Sequence, residues 1–577
     1  MPDKKENRKN KWVRTGLLIG IIAFFVLVSF FRMRSEGAFE DVFHKKSGVK
    51  IERLNENQVR NLNKLCKVWG FVKYYHPKVI SSSVDWDFEL FRVMPKVMET
   101  KDSNEVDKIL YNWINELGEV KEGSENGSKD VVMAPDIAWI KNDNYISKEL
   151  SDLLVKLSKT YISERDKAYV SFGKDSIFAS FKNEKPYPNM AYDDAGYKLL
   201  SLFRYWNVIE YYYPYRDGIE EDWDGVLTEF IPKFIECKDS LSYKLTAAEL
   251  TTKIHDSHAY AVDKRNELRR YWGFNAAPVK FQLVEDKVVI TEIAEKYAKD
   301  CKAQKGDIVL KLNDKDIFEV IREKARYKST SNNKEIVKDL FGYLFNTSEN
   351  SLTLTLERDG KEIRENIKCY SLTNMFEQAE QSHKLLEGNI GYINPGALAK
   401  GEIDKIMSEF KDTKGLIVDL RNYPSDLIMY TLGNYLMPKK VVFAKAAAAN
   451  QAVPGEFDYC GDMEVGKDNP NFYKGKVILI INEYTQSQAE FTTMALRKSP
   501  NAQVIGSNSI GADGDVAVFS LPGAIETAIS GIGIYNPDKS ETQRVGVKPD
   551  IYVKPTIHGI KEGRDELLEK AIEIIKN

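Results

Sequence analysis

The residues with the clearest chemical potential lie in KVILIINEYTQSQAEFTTMALRKS, residues 476–499. An apolar run ends near Asn482, a short turn carries Tyr484, Thr485 and Gln486, and a helical pattern starts near Ser487. A hydroxyl at a strand-to-helix turn meets outward-pointing backbone N–H groups and the positive end of a helix dipole, an arrangement that stabilises an oxyanion. The chemistry would be attack of the Ser487 hydroxyl on an acyl carbon. A second reading fits the same residues: Ser487 is a helix N-cap and Glu490, three residues on, closes a capping box. A nucleophilic hydroxyl also needs a base, because alone it is weak at neutral pH. Imidazole has the matching pKa. The chain offers six histidines: His44, His76, His255, His258, His383 and His558.

An internal repeat distinguishes one of them. LCKVWGFVKYYHP (65–77) aligns with LFRYWNVIEYYYP (202–214) at an offset of 137 residues. The same offset pairs Trp86 with Trp223 and Pro95 with Pro232, so residues 65–96 and 202–233 read as two copies of one helical unit. Apolar residues follow helical spacing in both, at Leu62, Leu65, Trp69, Val72 and at Leu199, Leu202, Trp206, Ile209. Pro77 and Pro214 are expected to end the helices. The aromatic run Trp206, Tyr211, Tyr212, Tyr213 reads as core packing rather than a ligand platform. The second copy continues into LTTKIHDSHAY (250–260), and the offset places Lys121 opposite His258. A residue needed only for packing would be expected in both copies, which points to a job for His258. His255 and His258, three apart, could alternatively share a metal.

The rest of the chain has to position these groups. It has 577 residues, 83 Lys+Arg against 86 Asp+Glu, and a net charge of −3. The length suggests several domains, and the charge gives no global case for nucleic acid. Five scattered cysteines, with no CxxC, exclude a zinc ribbon or a disulfide-dense scaffold. Residues 15–31 (TGLLIGIIAFFVLVSFF) carry no charge and follow a basic cluster. This predicts an uncleaved single-pass anchor with a cytoplasmic N-terminus and everything after about residue 35 outside the cytoplasm. Residues 275–372 read as short strands, with an Asp-Gly turn in SLTLTLERDGKEI. KGDIVLKLNDKDIFEVI resembles the PDZ pattern, which implies capture of an extended peptide as an added strand. Phe281, Gln282 and Leu283 are the expected peptide-binding segment. From about residue 388, buried strands alternate with helical stretches, which argues for βαβ units and a parallel sheet.

Five motifs then occur in order: GNIGYINPGAL (388–398), KGLIVDLRNYP (414–424), TQSQAE (485–490), VIGSNSIGADG (504–514) and RVGVKPDIYV (544–553). Together they resemble the tail-specific, or C-terminal processing, serine protease family. The resemblance implies a ClpP/crotonase-like αβ core, with Ser487 as nucleophile and no metal or organic cofactor. Many members carry a lysine base downstream of the serine, but that position here is Ala512. The branch that includes the tricorn core protease uses histidine from a Ser-His dipeptide, matched by Ser257-His258. It also uses a glutamate that corresponds to Gln543 here. Candidate orienting carboxylates are Glu490, Asp513 and Asp256. For the oxyanion, the expected donors are the N–H of Gln488 and one from the turn after DLR, with Ser425 the candidate, where Tyr423-Pro424-Ser425-Asp426 stands in place of the family's usual Gly-Gly.

The integrated expectation is an α/β multidomain chain. It comprises a cytoplasmic tail and anchor (1–34), a mostly helical region with the repeat and the histidine motif (35–265), a PDZ-like module (270–372) and a protease core (380–577). Its function would be that of a membrane-anchored, extracytoplasmic serine endopeptidase acting on polypeptides. The alternative is a catalytically inactive envelope scaffold that binds peptides.

Overall fold

Two pairs of tryptophans organise the helical region. In the computed structural model, which describes residues 43–123, 130–174, 176–373, 375–376 and 381–577, each copy of the repeat is a pair of packed helices. Helices Glu56–Tyr75 and Trp86–Glu99 form the first, and Ala195–Tyr212 and Trp223–Glu236 the second. A buried indole N–H requires an acceptor. Trp69 donates to the Trp86 carbonyl at 3.0 Å and Trp86 to the Trp69 carbonyl at 2.9 Å. Trp206 and Trp223 repeat the exchange at 2.9 and 3.3 Å. The first helix of each copy stops two residues before its proline, at Tyr75 and Tyr212, as expected of residues preceding Pro. The two copies touch at Gly70, where a Cβ would lie 1.7 Å from the Asn207 side chain. Trp206, Tyr211, Tyr212 and Tyr213 are all buried, so the aromatic run is core.

The C-terminal region is built on a parallel sheet. Strands Ile390–Ile393, Gly415–Asp419, Lys476–Ile481, Ala502–Gly506 and Ile551–Tyr552 pair in that order, and His383–Leu386 adds antiparallel at one edge. Leu416, Val418, Val477, Leu479 and Val504 pack on one face, against helices Ile403–Phe410, Ile428–Leu436 and Gln488–Leu496. Ile417, Ile478, Ile480 and Ile505 pack on the other, against helix Glu566–Lys576. Burial on both faces explains the continuous apolar runs.

Residues 279–368 form an antiparallel sheet in the order Lys361–Lys368, Ser351–Arg358, Ile308–Leu312, Lys287–Ile293, Val279–Val284. Its hairpin turns at Asp359 (φ 52°) and Gly360 (φ 71°), both left-handed as a two-residue turn of this kind requires. Val279–Val284 is an edge strand. The Phe281 ring is buried against Phe341 and Phe345, and its carbonyl accepts the Tyr484 hydroxyl at 3.3 Å. The ring is therefore core, and strand addition at this segment would rest on its backbone edge. Lys280, Phe281 and Gln282 line one side of a cleft of about 610 Å³, with Asn422, Asn482 and Tyr484 on the other; Leu283 packs at the edge of the module's own core.

Two strands from the N-terminal half complete sheets of the C-terminal half. Val131–Met133 pairs with Phe457–Val465, and Tyr260–Asp263 pairs antiparallel with Ile525–Ser530. The apolar stretch 15–31 lies outside the described residues. Among the described residues, no helix is long and apolar enough to cross a membrane.

Candidate active site

Ser487 sits where the strand Lys476–Ile481 gives way to the helix Gln488–Leu496, with φ 55° and ψ −120°. A non-glycine residue there is strained by about 1–3 kcal/mol and persists only when its surroundings over-determine it. They do. The turn before it is held by Thr485, whose N–H reaches the Asn482 carbonyl at 2.9 Å and whose hydroxyl donates to the Leu420 carbonyl at 2.9 Å. The Ser487 N–H faces both the Ala512 carbonyl (2.8 Å) and Glu490 Oε2 (3.1 Å).

Glu490 is the anchor of this elbow. Its carboxylate is buried and accepts from the Ser509 hydroxyl (2.5 Å), the Gly511 N–H (2.8 Å), the Ala512 N–H (2.9 Å) and the Ser487 N–H. Burial pushes its pKa up, and these donors pull against that shift. Gly511, at φ +79°, lets the loop pass the Arg544 backbone, which a Cβ would meet at 2.8 Å. Glu490 thus fixes the backbone around Ser487 and makes no hydrogen bond to a histidine among the described residues. The Glu490 half of a capping box, its carboxylate on the Ser487 N–H, and the strained nucleophile turn coexist in one motif.

His258 arrives by strand pairing. Tyr260 lies opposite Ala528 in an antiparallel register, so His258 falls opposite Ser530. Its Nδ1 is 2.9 Å from the Ser530 hydroxyl and 3.7 Å from Asp256 Oδ1. Asp256 in turn accepts the His258 N–H at 2.9 Å and the Ser530 N–H at 2.8 Å. Nε2 is buried and has no partner among the described residues. Burial lowers the pKa of the ring, Asp256 opposes that shift, and Lys338 adds to it. The net shift favours the neutral imidazole, with one nitrogen held and the other open. Of the three candidate carboxylates, the one beside the imidazole is Asp256. Asp513 instead keeps Oδ1 on the Gly514 N–H at 2.7 Å, and Oδ2 has no partner among the described residues. Burial and the charge of Glu490 raise its pKa well above the usual carboxylate range. Gln543 is buried, and neither atom of its amide has a partner among the described residues. His255 turns away to Glu221 at 2.8 Å, so the two neighbouring histidines do not face a common centre. Ser530 was invisible to sequence reasoning, because only the strand register brings it to His258.

The expected oxyanion donors divide. Gln488 is the first residue of its helix, and its N–H has no acceptor among the described residues, as helix starts require. The Ser425 N–H is already committed to the Pro395 carbonyl at 3.0 Å, and its hydroxyl donates to the Leu398 carbonyl at 2.6 Å. Ser425 is therefore corrected as a donor: without the paired glycines, the turn folds back on residues 395–398. The next N–H, of Asp426, has no acceptor among the described residues, and the Asp426 carbonyl accepts the Gln488 side chain at 2.7 Å.

Residues 389–553 match the model of Peptidase family S41. The C-terminal region is an S41 peptidase domain. This region is that of a serine-type peptidase and carries the five motifs described above. Among solved structures, mature CPAF superposes with a TM-score of 0.53 at 14% identity, covering 66% of this chain and 97% of that one. Mature CPAF complexed with lactacystin gives 0.52 at 13%, covering 66% and 98%. The photosystem II D1 C-terminal processing protease gives 0.39 at 14%, covering 63% and 96%. At these identities the CPAF likeness is one of fold. No curated protein matches the chain in sequence.

The S41 domain also defines what Ala512 does. Ala512 is fully buried, its N–H is held by Glu490 and its carbonyl by Ser487. Inserting a lysine there would overpack a filled site, at about 1–3 kcal/mol. Ala512→Lys is expected to lower the melting temperature and to give no gain in active-site labelling. A gain would mean that a lysine base still fits this loop.

Proposed function

We propose that this chain is a membrane-anchored serine endopeptidase whose catalytic part lies outside the cytoplasm. Ser487 Oγ attacks the carbonyl carbon of an extended polypeptide while His258 Nε2 takes the hydroxyl proton. The oxyanion is met by the N–H groups of Gln488 and Asp426. His258 then returns the proton to the leaving amine, and the acyl ester on Ser487 is hydrolysed by a water that His258 deprotonates. The observation that carries this reading is the strained backbone of Ser487, held in place by Glu490 at the start of a helix. The open Nε2 of the buried His258 supports it. For the anchor, the support is the uncharged run 15–31 behind a basic cluster.

A fluorophosphonate probe on the full-length chain tests the chemistry, and protease accessibility in intact against lysed cells tests the topology. Labelling is expected, with residues beyond the anchor cleaved from outside. A folded protein that never labels, even with peptide present, sinks the mechanism and leaves the scaffold reading. The pH dependence follows from the direction of the His258 shift. Its surroundings are Asp256, Lys338, Asp515 and Asp339, with burial dominant, and the folded pKa lies below the ordinary value. Burial therefore biases the base towards its neutral form, with a folded pKa below the ordinary imidazole value of about 6.5. The acid limb of the labelling rate is expected to have its midpoint below that value. A midpoint above it would contradict His258 as the base.

A further inference from the structure

One short helix of the β module, Ile336–Asp339, touches the two catalytic segments at equivalent points. Lys338 Nζ lies 2.5 Å from Gln486 Oε1, on the residue immediately before Ser487. Asp339 Oδ2 accepts from Ser257 Oγ at 3.1 Å, on the residue immediately before His258. Lys338 and Asp339 are themselves paired at 3.0 Å, with side chains 11% and 6% exposed. The residues flanking the pair, Val337 before it and Leu340 just after the helix, explain why these face outward. Val337 and Leu340, three apart, are buried in the module's own core with Leu344 and Phe345, so Lys338 and Asp339 point to the opposite side. Ser329 and Ser331 of the same module add to the grip: Ser331 exchanges hydrogen bonds with Ser257 at 2.8 and 2.9 Å, and Ser329 accepts the Asp256 N–H at 3.2 Å.

We infer that the Lys338–Asp339 pair is a clamp through which the β module sets the relative position of the Ser487 elbow and the His258 loop. The serine and the histidine come from segments far apart in the chain, and the pair joins the residues that precede each. Seating the module's core seats the clamp, so the module contributes to catalysis as a positioning element. Lys338 is a positioning residue: it touches neither nucleophile nor base. Its ammonium also disfavours a proton on His258, which keeps the ring ready to accept one from Ser487. The inference rests on the Ser487–His258 reading for its kinetic consequences, but the mechanical coupling is measurable without activity.

The test compares full-length wild type with Lys338→Met, Lys338→Arg and Asp339→Asn. Hydrogen exchange of residues 484–488 and 255–260 is the first readout. In Lys338→Met and in Asp339→Asn, both segments are expected to exchange faster together, while the parallel sheet keeps its wild-type protection. The second readout is fluorophosphonate labelling and peptide hydrolysis. Small misplacements of reacting groups cost up to ~10²-fold, so Lys338→Met is expected to lower the labelling rate and kcat about tenfold or more. KM should hold, and the acid limb should move to higher pH, because a cation beside His258 is gone. Lys338→Arg, which keeps charge and reach, should recover most of the rate. Unchanged exchange in both segments, or loosening of only one, overturns the clamp. If the wild type does not label at all, the acyl-enzyme reading falls and the exchange data still decide the clamp.

Discussion

Ser487→Ala is expected to reduce turnover by about 10⁴–10⁶ in kcat and to abolish fluorophosphonate labelling, with the protein still folded. The hydroxyl is the only group lost. The Ser487 N–H contacts to the Ala512 carbonyl and to Glu490 are backbone interactions and survive the change. Stability should therefore stay within about 0.5 kcal/mol of wild type. A companion variant separates chemistry from strain. Alanine at φ 55° keeps the unfavourable backbone of serine, whereas glycine relieves it. Ser487→Gly should be as inactive as Ser487→Ala yet more stable than it by about 1 kcal/mol or more. Peptide hydrolysis and chemical denaturation of the two variants give both answers. Wild-type turnover in purified Ser487→Ala would end the role assigned to Ser487. Equal stability of the two variants would mean that the elbow is not strained in solution.

The site was legible in sequence as far as local patterning reaches. Residues 476–499 announce a buried strand, a turn and a helix by composition alone, and that context singled out Ser487. The repeat offset singled out His258, and the Asp359-Gly360 turn was readable from its two residues. What was not legible depends on pairings between distant segments. Ser530 meets the His258 ring across 272 positions of sequence, and nothing near either residue encodes the register that aligns them. Glu490 fitted a capping box and also a triad carboxylate. Only the folded loop 509–512 shows that its oxygens are taken by hydroxyl and backbone donors around the nucleophile. Ser425 failed as a donor for a related reason. A turn without glycines closes on its own neighbours, and the direction of an N–H follows from that closure, not from the motif. Burial of the Phe281 ring was not legible either, because strand alternation predicts which residues share a face but not which face the module buries.

The largest stability effect is expected far from Ser487, at Arg204. Its guanidinium is fully buried and lies 2.8 Å from Asp87 and 2.9 Å from Glu184, while Lys73 lies 2.7 Å from Glu184 and 3.4 Å from Asp87. Tyr187 donates to Asp87 at 3.0 Å. Two cations and two carboxylates balance in a site without water-exposed side chains. Burial opposes ionisation of Asp87, but Lys73 and Arg204 hold its carboxyl below the ordinary value. Arg204→Met would leave two carboxylates facing one lysine, and breaking such a buried set costs about 3–5 kcal/mol. The sign with pH is fixed by the depressed Asp87 pKa. The contribution of the wild-type network is complete above about pH 3.9 and is lost as pH falls through the folded value, so the gap between wild type and variant should narrow only in acid. Arg204 also donates to the Lys185 and Ser520 carbonyls, both at 2.7 Å. Ser520 belongs to the strand Val516–Leu521, which pairs with Ile525–Ser530, the partner of the histidine segment. Loss of Arg204 should therefore loosen the hairpin that holds Ser530 against His258, and labelling should slow even at temperatures where the protein remains folded. Denaturation at pH 7 and at a pH below about 3.9, together with labelling rates at pH 7, decides the matter. A variant within 1 kcal/mol of wild type at pH 7 would show that the network contributes specificity of packing rather than stability.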